Sequence, residues 1–263
     1  MLKPRWILLA LVFCLPFTAQ AQTDQEVRRE TRATDRMFLT FGQEATLVDR
    51  QWWEGRLEYL DLSGGTDRTI LRAVAAFQPW DQVEFGGTVG FGDSSGFGGS
   101  GSGATDLDLW AKYHFGEDDR TEYAAGGLVI VPTGDDAARL GNDSFAFGAF
   151  GSVRHRGKRA TFSGNLAVRL NGDGVTNSGG SADGDTSFEL GAGVIVPAND
   201  RLSFIGEVRF ETERFDGFES DLRALGGINL QAGKTGGFRA ALAIGLTDGA
   251  PDLQIIAGYA STF

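Results

Sequence analysis

The chain has 263 residues, thirty-nine of them glycine, with 24 Lys and Arg against 35 Asp and Glu and a formal net charge of −11. An acidic balance lacks the basic footprint of a nucleic-acid binder. One cysteine and two histidines are too few for a structural zinc site, and a mean hydropathy of −0.14 excludes repeated ~20-residue apolar helices.

The first twenty-one residues read as an address. Lys3 and Arg5 give a cationic start, Trp6 to Phe17 is apolar apart from Pro16, and Thr18-Ala19-Gln20-Ala21 supplies the small residues of a cleavage site. This is the pattern of a secretory signal peptide, with cleavage expected after Ala21. The only cysteine, Cys14, falls inside it, so the exported chain is expected to hold itself together without disulfides. Residues 22–48 form a separate polar lead-in. Gln22 to Arg36 is charge-mixed and reads as mobile or weakly helical. Met37 to Phe41 is more apolar, and the sequence does not place it.

From residue 49 to 263 the period is two. Phe238, Ala240, Leu242, Ile244 and Leu246 alternate with Arg239, Ala241, Ala243, Gly245 and Thr247, and similar runs recur through the chain. Period two gives strands with one apolar and one polar face. Glycine at about twice its ordinary share of ~7% agrees, because each interior glycine disfavours helix by about 1 kcal/mol. About twelve such runs are expected, with ten or fourteen also compatible. Short turns such as Gln78-Pro79-Trp80-Asp81 and Pro197-Ala198-Asn199-Asp200 alternate with mostly longer Gly/Ser/Asp-rich loops, including 92–104, 133–142, 171–184 and 213–219. That plan, with runs of ~10 residues, matches an all-β, transmembrane, antiparallel β-barrel of the outer membrane. Both chain termini are then expected on the periplasmic, short-turn side. A soluble β-sandwich is the competing reading. Against it stand two expected aromatic girdles: Phe77, Phe115, Tyr123 and Phe238 at the turn side, and Phe91, Phe145, Phe188 and Phe210 at the loop side. The last run carries Tyr259 and ends on Phe263, and is read as an assembly signal for the barrel assembly machinery.

If the apolar face meets lipid, the alternate face lines a lumen. That assigns Arg56, Glu58, Arg72, Glu84, Asp108, Lys112, Asn165, Arg169, Glu189, Glu207, Arg209, Glu211, Arg223, Asn229, Arg239 and Gln254 to the interior. Mixed charge there fits either a polar conduit or an ion-pair network that closes the barrel. Small interior residues such as Gly86, Thr88, Gly90, Gly191, Gly193 and Ala243 favour an open cavity. The acidic loop residues Asp135, Asp136, Asp173, Asp183, Asp185, Asp216 and Glu219 read as solvated carboxylates. The alternative is that they bind divalent cations that bridge lipopolysaccharide, or repel anionic solutes; Asn171-Gly172-Asp173-Gly174 lacks the ligand spacing and closing Glu of a calcium loop, so no metal ligands are assigned. Catalysis has little support. His114 and His155 fall at the short-turn ends, and neither sits beside a serine in the manner of a lipid hydrolase. Gly98 to Gly103 lacks the lysine of a phosphate loop and reads as a flexible surface loop.

The order of motifs resembles a known family, the outer-membrane transporters associated with the meta-pathway of phenol degradation. The resemblance rests on Asp106-Leu107-Asp108-Leu109-Trp110-Ala111-Lys112-Tyr113, on Val131-Pro132-Thr133-Gly134-Asp135, on Asn199-Asp200-Arg201-Leu202-Ser203, and on Thr247-Asp248-Gly249-Ala250-Pro251-Asp252. It covers about residues 50–263 and implies passage of small, often hydrophobic or aromatic compounds across the outer membrane, with no substrate-binding residues to carry over. The expectation is therefore a porin-like bacterial outer-membrane channel, not an enzyme and without a cofactor. Its partners are outer-membrane lipid and lipopolysaccharide, the assembly machinery and a small-molecule solute, with no nucleic acid. A structural or surface-interaction barrel without transport is the alternative, and a lipid-acting barrel enzyme ranks last.

Overall fold

Alternating side chains leave a strand one face to bury, and here the buried face is the charged one. The computed structural model describes residues 34–47, 51–62, 64–96, 100–117, 120–175 and 181–262. The expected signal peptide, the lead-in up to residue 33 and the terminal Phe263 lie outside the described residues. Twelve long strands are present: β1 (Gln51–Leu62), β2 (Thr66–Trp80), β3 (Val83–Ser95), β5 (Leu107–Glu117), β6 (Thr121–Val131), β7 (Ala146–Arg156), β8 (Thr161–Asn171), β11 (Thr186–Pro197), β12 (Leu202–Glu211), β13 (Asp221–Gln231), β14 (Gly236–Gly245) and β15 (Leu253–Thr262). Each pairs antiparallel with its neighbours, and β15 pairs back onto β1 from Trp52↔Thr262 to Asp61↔Leu253. The sheet is thus a closed twelve-stranded barrel, which removes both edges and rules out the open sandwich. No α-helix occurs among the described residues.

The exposed face carries Leu57, Leu71, Val89, Leu109, Leu166, Leu190, Leu242 and Ile255, whereas Glu54, Arg56, Glu84, Lys112, Glu189 and Arg239 are buried. A water-soluble domain shows the opposite distribution. With strands of 10–15 residues, the apolar belt is that of a barrel seated in lipid. The expected aromatics sit on it: Phe77, Phe115, Tyr123 and Phe238 are exposed towards the short-turn end, Phe91, Phe145 and Phe188 towards the loop end, and Phe210 is half-buried.

Three short strands belong to the loop end: β4 (Gly101–Ala104), which pairs with β3, and the β9 (Gly174–Val175) and β10 (Ser181–Ala182) ladder. Residues 101–103, expected as part of a flexible loop, are therefore strand. β4 runs on into β5 with one extra residue between the pairs Phe91↔Ala104 and Thr88↔Asp108, a β-bulge. Glycine is required there, since a Cβ on Gly103 would strike Asp135 of the β6–β7 loop. That loop is tied down: the Asp106 carboxylate accepts the N–H groups of Gly134 at 3.0 Å and Asn142 at 3.2 Å. Ala138 and Leu140 pack on Ile70 over the barrel mouth.

Candidate functional site

The inner face is organised in two layers. The first, nearer the short-turn end, encloses a segment of the chain itself. Residues 34–47, which the sequence left unplaced, lie inside the barrel, and Thr34, Arg36, Met37, Phe38, Thr40, Gln43 and Glu44 are buried. Met37 and Phe38 join Ile195, Ile205, Leu225, Ala243 and Ile256 in an apolar cluster. A single 3-10 turn, Phe41–Gln43, reverses the segment. Burying side chains like these contributes about 1.5–3 kcal/mol each, while ordering each residue costs about 1–2 kcal/mol. Polar contacts must supply the rest of the hold.

Those contacts come from the inward-facing strand residues. Glu207 accepts the backbone N–H groups of Phe38 at 2.9 Å, Leu39 at 3.0 Å and Thr40 at 2.9 Å, together with the Thr40 hydroxyl at 2.9 Å. Lys112 donates to the carbonyls of Glu44 at 2.9 Å and Thr46 at 2.8 Å and pairs with Glu84 at 3.0 Å. Glu84 in turn holds Arg36 at 2.7 Å. Arg239 pairs with Glu54 at 2.5 Å and donates to the carbonyls of Arg36 and Met37. Arg56 reaches the Phe38 carbonyl at 3.2 Å. Asn165 donates to Gln43 at 2.6 Å, and Asn229 donates to the Thr34 carbonyl. Glu44 accepts Arg154 at 3.1 Å and the segment's own Met37 N–H at 2.9 Å. Arg36 stacks 4.6 Å over Trp52, and Arg239 lies 4.2 Å over Phe38.

The second layer lies nearer the loop end and is a chain of ion pairs. Arg169 bridges Glu189 at 2.6 Å and Glu211 at 2.7 Å, and Arg209 bridges the same two at 2.8 Å and 2.5 Å. Arg209 also faces Asp221 at 3.4 Å, which Arg223 holds at 2.8 Å through Nε. Arg223 donates to Gln254 at 3.1 Å, Gln254 to Glu58 at 3.5 Å, and Glu58 holds Arg56 at 2.5 Å and Arg72 at 3.1 Å. The chain runs over β8, β11, β12, β13, β15, β1 and β2. Asp108 on β5 stands apart from it, within electrostatic reach of Arg72, Arg169 and Arg214.

The residues assigned inward by parity thus divide between the layers. Arg56, Glu84, Lys112, Asn165, Glu207, Asn229 and Arg239 grip the N-terminal segment, and Glu58, Arg72, Asp108, Arg169, Glu189, Arg209, Glu211, Arg223 and Gln254 form the charged layer above it. Glu54 and Arg154 were missed although they share the parity of Arg56 and Ser152. Arg36, Gln43 and Glu44 carried no periodic signal. His114 is half-buried, while His155 is exposed with its Nδ1 at 3.0 Å from the Thr121 hydroxyl. Among the described residues no group of three or more His, Cys, Asp or Glu is placed to hold a metal ion.

No family model and no curated protein sequence matches the chain. Solved structures do. The COG4313 outer membrane channel from Pseudomonas putida F1 aligns with a TM-score of 0.66 at 17% identity, over 84% of this chain and 98% of that one. The NanC porin aligns with a TM-score of 0.56 at 11% identity, over 80% of this chain and all of that one, 100%. The KdgM porin, solved with disordered oligogalacturonate, aligns with a TM-score of 0.52 at 11% identity, over 81% and 99%. The fold of this chain is that of the bacterial outer-membrane barrels.

Proposed function

We propose that the chain is a bacterial outer-membrane channel for the passive passage of small molecules, narrowed by its own N-terminal segment. The observation that carries this reading is the inner face. Apart from two apolar clusters it is polar and charged, and the segment inside it is held largely by hydrogen bonds and ion pairs. A polar interior inside a lipid-facing wall is the architecture of a conduit, and polar contacts exchange with water more readily than a continuous apolar core. The inner apolar patch of Trp52, Val74, Ala76 and Trp110 and the motif resemblance both support solutes with hydrophobic or aromatic bodies. The parity assignment becomes a proposed solute path: the charged layer lines it and the N-terminal segment constricts it. Lipid and lipopolysaccharide surround the belt, and β15 with Tyr259 is the proposed recognition element for the assembly machinery.

A structural barrel without transport is the second reading, favoured by how completely the ion-pair chain and the inserted segment fill the interior. Planar-bilayer recording and liposome flux separate the two. The channel reading expects discrete ion conductance and uptake of small uncharged solutes by the full chain, both raised when residues 34–46 are deleted. A protein with no conductance and no flux, with or without that segment, overturns it. Absence of lipid hydrolysis by the purified chain would remove the enzyme alternative.

A further inference from the structure

A groove of about 630 Å³ runs along the wall formed by β1, β2, β3 and β5. Its shape follows from the register. Trp53 pairs with Ala75, Ala75 with Gly87 and Gly87 with Leu109, so one outward row reads large, small, small, large across four strands. Gly87 keeps the floor low, since a Cβ there would come within 3.0 Å of Leu109 Cδ2. Neighbouring strands lie about 4.8 Å apart, so Trp53 and Leu109 stand roughly 14 Å apart at the backbone. In the next outward row towards the short turns, Phe77 and Phe85 stack 5.7 Å apart and form the rim.

The groove is continuous with the apolar belt that faces lipid, and an empty groove forfeits dispersion contacts along its lining. Its position selects the lipid. Asp81 stands exposed in the short turn, six residues beyond Ala75. Six residues of strand span roughly 20 Å, and a tilt of about 45° makes that a depth of roughly 14 Å, close to half of the ~30 Å hydrocarbon core. A phospholipid of the short-turn leaflet with its head at Asp81 therefore brings an acyl chain down to Ala75 and Gly87. Lipopolysaccharide belongs to the other, loop-side leaflet. The Asp81 carboxylate attracts an ammonium and repels an anionic head group.

We propose that this groove binds one acyl chain of a phospholipid with an ammonium head group, drawn from the short-turn leaflet. The site goes beyond the channel reading and does not depend on conduction.

Native mass spectrometry of the full chain tests it, after incubation in detergent with equal amounts of phosphatidylethanolamine, phosphatidylglycerol and lipopolysaccharide. One phosphatidylethanolamine is expected to stay bound, about fivefold more often than phosphatidylglycerol. Ala75→Leu raises the floor and should cut that retention about fivefold. Ala149→Leu adds the same bulk at an exposed position on β7 and should leave it unchanged. Asp81→Lys, in the turn and away from the barrel wall, should reverse the preference between the two phospholipids. Heat-modifiable migration confirms that the variants fold. Equal retention in wild type and Ala75→Leu overturns the site, as does an equal loss in Ala149→Leu. Equal binding of the two phospholipids, a preference that Asp81→Lys leaves unreversed, or lipopolysaccharide bound in their place overturns it too.

Discussion

Glu207 Oε1 accepts both the backbone N–H and the hydroxyl of Thr40, each at 2.9 Å, while Oε2 accepts Phe38 and Leu39 at 2.9 Å and 3.0 Å. One carboxylate on β12 thus gathers three consecutive amides of the inserted segment. Hydrogen bonds to a charged acceptor contribute about 1.5–3 kcal/mol each, and removing the acceptor leaves three buried donors unsatisfied. Glu207→Ala is expected to loosen the segment while the barrel stays closed. A cysteine placed by Thr40→Cys should then label with a water-soluble thiol reagent at least tenfold faster in the Glu207→Ala background. Equal labelling rates in the two backgrounds would show that the segment is held without Glu207.

A second expectation concerns Gly86. A Cβ built on it falls inside the Trp110 ring, which also lies 3.3 Å from a Cβ position on Gly42 and donates to Glu84 at 3.3 Å. Trp110 is thus packed between a barrel strand and the inserted segment. Overpacking a filled interior costs about 1–3 kcal/mol, so Gly86→Ala should lower the temperature of the heat-modifiable gel shift and alter tryptophan fluorescence. Gly151→Ala is the control, because a Cβ there meets nothing within 4 Å. Equal shifts in the two variants would refute the packing argument.

The contrast between β14 and the N-terminal segment shows what a sequence reveals. In β14, Phe238, Ala240 and Leu242 alternate with Arg239, Ala241 and Ala243, and a one-residue slip would put Arg239 into lipid at a cost of about 2–4 kcal/mol. That penalty specifies the register, so strand existence, parity and closure were legible. The inserted segment obeys no period. Beside the side chains of Arg36, Thr40, Gln43 and Glu44, the barrel grips the carbonyls of Thr34, Arg36, Met37, Phe38, Glu44 and Thr46 and the amides of Phe38, Leu39 and Thr40. Every sequence carries those backbone atoms, so nothing in residues 34–47 announced that Lys112, Glu207 and Arg239 would bind them. The same fact reassigns Glu207, which parity made a lining group: it is covered by Phe38 to Thr40, and ion selectivity is better sought in the layer above.

There the informative residue is Arg209, placed against Glu189 at 2.8 Å, Glu211 at 2.5 Å and Asp221 at 3.4 Å. Removing one partner of a buried charge network leaves the others uncompensated and costs about 3–5 kcal/mol. Arg209→Gln is therefore expected to lower thermal stability. It should also shift the reversal potential in a KCl gradient towards cation preference, as three carboxylates then face the lumen with one fewer cation. Glu211→Gln should shift it the opposite way. Reversal potentials that stay at the wild-type value in both variants would remove the charged layer from the conduction path.

At the loop end, Asp106 governs a different element. It sits at the bulge between β4 and β5, and its two oxygens accept the N–H groups of Gly134 and Asn142, nearly the two ends of the β6–β7 loop. Asp135 adds a local turn by accepting Ala138 N–H at 2.9 Å, which sets Ala138 and Leu140 against Ile70. Without Asp106 two amides lose their acceptor, and the loop keeps the bond from Asp135 N–H to the Ala104 carbonyl at 2.9 Å and the apolar contact of Ala138 and Leu140. Asp106→Ala is expected to make Arg139, whose φ of 58° already lies in the left-handed region, a site of rapid trypsin cleavage in the folded, detergent-solubilised barrel. Asp106→Asn keeps a carbonyl acceptor for one amide and should fall between. The same trypsin resistance in Asp106→Ala as in wild type would mean that the Asp135–Ala104 bond and packing on Ile70 fix the loop without the carboxylate.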